Sequence, residues 1–127
     1  MELKTKLYLV DAEGEKFMGI GVLWLLCEVE KGQSLRKAAS TLGISYSKAF
    51  LMVRNLEKAL GVSVLNRQKG GADRGGATLT TFGQQFLKLY DDFQKQAKLQ
   101  VEKPFNDFSA GLSRLLESSE KIGEQEI

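Results

Sequence analysis

A chain of 127 residues with 43% hydrophobic side chains is long enough for one domain with a buried core and an added terminal helix, and its single Pro argues against long disordered linkers. It has no histidine and one cysteine, Cys27, so no disulfide can close within it and no Cys/His zinc site can assemble. The formal net charge is only +2, yet Ser34–Leu79 holds eight basic residues against two acidic ones, leaving acidic flanks. A basic middle of this kind points to one face built for an anionic partner. The longest apolar run, around Ile20 to Cys27, is too short to span a bilayer, and the start MELKTKLYLVD has no signal-peptide h-region. A lone thiol fits a reducing compartment. A soluble, cytoplasmic protein without a membrane partner is expected. With no histidine, no paired-carboxylate cleft and no activated-nucleophile motif, an enzyme is not expected, nor is a cofactor or a metal.

In chain order, Leu3–Val10 alternates and ends in Leu, Tyr and Val, as a half-buried strand would. Asp11-Ala-Glu-Gly14 supplies turn residues, and Phe17–Ile20 reads as a short return segment, giving an N-terminal strand or hairpin over 3–20. Gly21–Lys31 reads as a first helix with Val22, Leu23, Leu25, Leu26, Cys27 and Val29 on a broad apolar face, ended by Gly32. Trp24 reads as a core or rim aromatic rather than a ligand platform.

Ser34–Leu60 is the organising stretch. Ser34 and Ser45 are each placed to cap a helix, and Gly43 stands where a left-handed turn is needed. The second helix, Leu35–Leu42, turns Leu35, Ala38, Ala39 and Leu42 inward and Arg36, Lys37 and Ser40 outward. The third, Tyr46–Leu60, places Tyr46, Ala49, Phe50, Val53, Leu56 and Leu60 on a core stripe. Its opposite stripe holds Ser47, Lys48, Leu51, Arg54, Asn55 and Lys58. Those groups suit a duplex groove: Arg and Lys for guanine edges or phosphates, Asn for adenine, Leu for a thymine methyl. A solvated helix face is the plainer reading, and the exposed Leu51 amid donors favours a groove over water. Glu57, near the buried stripe, is expected to pair with a cation or a helix terminus.

Gly61 stops that helix. Val62–Asn66 alternates like a strand and Ala77–Leu79 can pair with it. Between them Arg67, Lys69 and Arg74 are interleaved with Gly70, Gly71, Gly75 and Gly76. Two strands around a basic glycine loop make a wing over 62–80, able to lie along phosphates or enter a minor groove. A merely flexible hairpin is the alternative, and no Walker pattern is present. Thr80 reads as the cap of a fourth helix running to about Val101, with Phe82, Phe86, Leu89, Tyr90, Phe93 and Ala97 along it. At about 30 Å it outruns one small domain. Pro104 breaks the pattern, after which Phe105, Phe108, Leu112, Leu115 and Leu116 suggest a last amphipathic helix, and 123–127 a frayed tail. Segment 81–122 is then either a dimer seam, through Phe86, Leu89, Tyr90, Phe93, Phe105, Phe108, Leu112 and Leu115, or a cover for its own domain.

The run SLRKAASTLGISYSKA, together with Arg67, Gly70, Gly71, Gly75, Gly76, Ala77, Leu79, Thr80 and Gly83, resembles the ModE group of molybdate-responsive bacterial regulators. The broader pattern of Ala38-Ala39, a serine, then Leu56-Glu57-x-x-Leu60-Gly61-x-x-x-Leu65-x-Arg67 is similar to LysR-type regulators. The resemblance covers about Phe17 to Val101. It implies a mainly α fold with a small β wing: a winged helix-turn-helix with a long C-terminal dimerisation helix, binding double-stranded DNA as a homodimer. It would place Ser45, Tyr46, Ser47 and Lys48 at the groove, with Arg67 and the glycine wing 67–77 on the backbone. Full-length members continue into a molybdate-binding domain; this chain ends at Ile127, so molybdate binding is not expected from it. A winged-helix adaptor that never touches DNA is the rival, and the basic stripe and basic wing on one face speak against it.

Overall fold

A computed structural model describes residues 1–67 and 76–119. Its elements run β1 (Tyr8–Val10), β2 (Lys16–Gly19), α1 (Ile20–Gly32), α2 (Leu35–Leu42), α3 (Tyr46–Leu60), β3 (Leu65–Arg67), β4 (Ala77–Leu79), α4 (Thr81–Gln100) and α5 (Glu102–Ser118). The winged helix-turn-helix architecture is present as expected, mainly α with two small two-stranded sheets. Two compact units divide the chain: Lys6–Phe93, and Met1–Thr5 with Gln94–Ile127. The boundary expected at Thr80/Thr81 therefore lies inside the first unit, because the first half of α4 packs there.

In that unit β1 and β2 pair antiparallel, Tyr8 opposite Gly19 and Leu9 opposite Met18. The Asp11 carboxylate holds the turn by accepting from the N–H groups of Glu13 and Glu15, both at 2.9 Å. The strand starts at Tyr8 rather than Leu3 because its partner, Gly19, is the last extended residue before α1. Met18, Leu25, Leu26, Val29, Leu35, Leu56, Val53 and Val64 fill the core, and each large apolar side chain so buried contributes about 1.5–3 kcal/mol. Trp24 is 54% exposed, at the rim of α1 rather than in the core.

The helix-turn-helix has the boundaries its caps dictate. The Ser34 hydroxyl accepts from Lys37 N–H at 3.1 Å and that of Ser45 from Lys48 N–H at 3.0 Å. Gly43 has φ 71°, its N–H reaching the Ser40 carbonyl while Ile44 N–H reaches that of Ala39, so the last turn of α2 is satisfied without a Cβ in the way. Because Ser34 is itself buried, Ser34→Ala will leave an orphan donor. A loss of about 1 kcal/mol is expected, seen as a fall in thermal midpoint of roughly 4–8 °C by circular dichroism.

One helix end departs from expectation. The left-handed residue after α1 is Gln33, φ 53°, and Gly32 stays helical. The Gln33 carbonyl accepts from Ala77 N–H at 3.0 Å and Ser34 bridges Gly76, so pairing with the β4 edge places the turn one residue later. In the wing Leu65 faces Leu79 and Arg67 faces Ala77. The first wing strand begins at Leu65, not Val62, because the backbone of Ser63 and Val64 is engaged elsewhere: Thr80 Oγ1 donates to the Ser63 carbonyl at 2.8 Å and Thr80 N–H to that of Val64 at 2.9 Å. The same Thr80 hydroxyl accepts from Gly83 N–H at 2.9 Å and caps α4.

On α4, Leu87 and Tyr90 are buried, and the Tyr90 hydroxyl donates to the Leu7 carbonyl at 3.5 Å. Tyr90 is thus covered within its own chain and is not available to a subunit seam. About a quarter-turn round the helix lies a second stripe of Phe82, half-buried Phe86, and exposed Leu89 and Phe93.

In the other unit the helix breaks at Val101, and Pro104 falls in the first turn of α5, where a missing N–H costs no helical bond. Pro104 therefore opens the last helix instead of preceding it. Phe105 and Leu112 are half-buried, while Phe108, Leu115 and Leu116 are exposed. The frayed tail expected at 123–127 lies outside the described residues. No helix of the described residues is long and apolar enough to cross a membrane.

Candidate nucleic-acid interface

The outward face of α3 follows from its 3.6-residue period. Ala49, Val53 and Leu56 are buried on one side, so Ser47, Leu51, Arg54 and Lys58 form the opposite centre line, all exposed. Leu51 is 54% exposed. Ser45, exposed at the N-cap, precedes the helix, and its hydroxyl accepts from Lys48 N–H.

Each flank of the line meets a different element. On one side Lys48, Met52 and Asn55 line a cleft of about 320 Å³ with Lys16 to Gly19 of β2 and the start of α1. Further along, Asn55, Lys58 and Ala59 face the hairpin turn with Asp11, Glu13 and Glu15 across a recess of about 430 Å³. The hairpin thus brings a cation, Lys16, to both recesses, and carboxylates to the one that Lys58 lines. Lys16 Nζ rests 5.3 Å from the centre of the Tyr8 ring. Nothing in the period of α3 signals Lys16, because its approach depends on how the hairpin folds over that helix.

On the other flank arginines and rings alternate. The Arg36 guanidinium stacks 4.3 Å from the Tyr46 ring centre, Tyr46 and Phe50 rings are 6.4 Å apart, and the Arg67 guanidinium lies 5.0 Å from Phe50. Arg67 Nη2 also stands 3.7 Å from Glu57 Oε1. Tyr46, expected at both core and groove, is half-buried under Arg36. The pairing expected for Glu57 has a second half: its Oε2 accepts from the N–H groups of Val64 and Leu65 at 2.8 and 3.3 Å.

The structure thus brings Ser47, Lys48, Leu51, Arg54, Asn55 and Lys58 onto one face, with Ser45 exposed at the helix start, Arg36, Tyr46 and Arg67 along one edge and Lys37 exposed on α2. Gly76 is different. It is buried and bridged to Ser34, so it offers no open backbone for close approach. Lys69, Gly70, Gly71, Arg74 and Gly75 lie outside the described residues. Cys27 is half-buried; burial first, then the nearby Asp91 and Glu30 carboxylates, push its thiol up and keep it protonated at neutral pH. Among the described residues no group of three or more His, Cys, Asp or Glu could hold a metal ion.

Residues 22–84 match the family model for bacterial regulatory helix-turn-helix proteins of the lysR family. The transcriptional regulator ModE of Haemophilus influenzae is 34% identical over 67 residues, covering 53% of this chain and 26% of that protein. The Rhodobacter capsulatus molybdenum-pterin-binding protein MopB is 29% identical over 104 residues, 82% of this chain and 33% of MopB. The match thus spans about a quarter to a third of the length of these relatives. Among solved structures, the BenM_DBD/catB site 1 DNA complex aligns with a TM-score of 0.57 at 23% identity, covering 74% of this chain and 96% of that one. The CbnR_DBD-DNA complex aligns with a TM-score of 0.52 at 24% identity, covering 74% and 99%. At these identities the structural likeness is one of fold.

Proposed function

We propose, because residues 22–84 of this chain are a bacterial regulatory helix-turn-helix domain of the lysR family, that the protein is a DNA-binding transcriptional regulator of the LysR and ModE kind. The observation that carries the reading is the single exposed face of α3, where Lys48, Arg54, Asn55 and Lys58 surround an exposed Leu51. A major groove offers such a face acceptor edges for its donors and thymine methyls for its apolar centre at once.

In this reading α3 enters the major groove with Arg54 and Asn55 on base edges. Arg36, Lys37, Lys48 and Arg67 hold phosphates. The glycine- and cation-rich run from Arg67 to Ala77 follows the backbone or the adjacent minor groove. Two copies act together, reading half-sites about 34 Å apart on one side of the duplex. The exposed apolar groups of α4 (Leu89, Phe93) and of α5 (Phe108, Leu115) are the surfaces offered to the second copy, with half-buried Phe86, Phe105 and Leu112 at their edges. The cytoplasm is where such a protein meets its DNA. No effector enters this reading.

Base readout and phosphate holding separate by mutation. Arg54→Ala will relax preference at one position, costing about 1–3 kcal/mol on the best site, while Lys69→Ala will weaken all sequences alike and lower the salt slope by about 1. Selection from a random duplex library followed by titration of both variants measures the difference. Identical behaviour of the two would remove this division of roles, and no duplex binding at any salt would return the adaptor.

A further inference from the structure

We infer that Glu57 is a positioning residue for phosphate binding: it holds the Arg67 guanidinium against the Phe50 ring on the edge of the recognition helix, in line with the Arg36–Tyr46 pair. The inference rests on the DNA-binding reading and extends it to a residue of the wrong charge for that role.

A carboxylate beside a phosphate-binding face is electrostatically unfavourable to a polyanion, so its presence there needs a reason. Glu57 lies two helical turns beyond Phe50 on the same flank of α3, and its side chain is 18% exposed against 39% for Arg67. Both carboxylate oxygens are committed. Oε2 takes the N–H groups of Val64 and Leu65, joining α3 to the root of the wing, and Oε1 faces Arg67 Nη2 at 3.7 Å. Arg67 ends β3 opposite Ala77, so its backbone is set by the strand pair while its side chain is caught between a ring and a carboxylate. A guanidinium has five N–H donors in a fixed plane, and one contact with Glu57 leaves the others free for a phosphate. Arg36 repeats the arrangement on Tyr46, the ring next to Phe50. Two guanidinium planes therefore stand on adjacent rings of one helix edge, with side-chain entropy already lost before a strand of phosphates arrives.

Charge alone and positioning predict opposite signs. Removing a negative charge from the interface should strengthen DNA binding; removing the group that aims Arg67 should weaken it. The test is a double-mutant cycle on the full chain with a generic double-stranded oligonucleotide at low salt, since phosphate contacts do not depend on sequence. R67A will weaken binding and lower the magnitude of the salt slope by about 0.9. E57Q will weaken binding roughly three- to tenfold with Arg67 present; in the R67A background, where only its lost negative charge counts, it will leave affinity equal or raised, the coupling expected of residues acting through one contact. Stronger or equal binding by E57Q with Arg67 present, or the same loss in both backgrounds, overturns the inference. If circular dichroism shows E57Q unfolded, R67K decides: it keeps the charge but not the plane, so a loss equal to that of R67A supports the inference and wild-type affinity overturns it. Failure of the unaltered chain to bind the oligonucleotide is a separate result and sinks the DNA-binding reading itself.

Discussion

Raising salt from about 50 to 200 mM will lower affinity for duplex DNA by roughly three orders of magnitude for each subunit engaged. The estimate takes six phosphate contacts: Arg36, Lys37, Lys48 and Arg67 on the described surface, and Lys69 and Arg74 in the basic run that follows. Each neutralised phosphate releases condensed counterions, and the slope of log affinity against log salt is about −0.9 per contact, so six contacts give a slope near −5. With a net charge of only +2, the effect must come from the concentration of cations on one face rather than from the whole molecule. The hairpin sharpens this further. Its Lys16 lines both recesses beside α3, while its carboxylates line only the one that Lys58 shares, against the C-terminal half of the helix. Titration of a labelled duplex across a salt series gives the slope directly. A flat response would mean that these cations meet no phosphate, and the adaptor reading would replace the present one.

Gly83→Ala will destabilise the Lys6–Phe93 unit by roughly 3 kcal/mol, at the upper end of what overpacking costs. An added Cβ at Gly83 would collide with the Val64 carbonyl oxygen, and with Val64 Cα and carbonyl carbon at 3.2 Å. These are backbone atoms, and they cannot step aside. The Val64 segment is held from the α3 side by Glu57 and from the α4 side by Thr80, so the strain has no soft direction to relax along. Against a typical domain stability of about 5–15 kcal/mol, such a loss is large. Thermal unfolding followed by circular dichroism will show it as a fall of more than about 10 °C. Gly111→Ala is the control. That residue lies within α5 with nothing near its missing Cβ, so alanine there should raise stability by about 0.5–1 kcal/mol. Equal melting temperatures for Gly83→Ala and the unaltered chain would mean that the Val64 backbone yields to the added methyl and that this contact does not limit stability.

Much of the site could be read before any fold was known, and the reason is local. The limits of α2 and α3 coincide with expectation because Ser34, Gly43, Ser45 and Gly61 each satisfy or terminate backbone groups within a turn of themselves. The outward stripe of α3 follows from its own period, so Ser47, Lys48, Leu51, Arg54, Asn55 and Lys58 needed no tertiary information. Gly83 could be noticed only as part of a resemblance. Its physical role appears once Val64 is seen against it.

By itself, then, the sequence determined the winged helix-turn-helix, its caps and the face of its third helix, through hydrogen bonds and periodicity that operate over a few residues. Contacts between distant residues decided the rest. The β4 edge moved the left-handed turn from Gly32 to Gln33, and Thr80 displaced the first wing strand to Leu65. Tyr90 went into the core with its hydroxyl on the Leu7 carbonyl, 83 residues away in the chain, while its neighbours Leu89 and Phe93 stayed out. Glu57 is the clearest case. On a helical wheel it is one acidic residue near an apolar stripe, and only the return of Val64, Leu65 and Arg67 to its side turns it into the group that ties α3 to the strand that follows it.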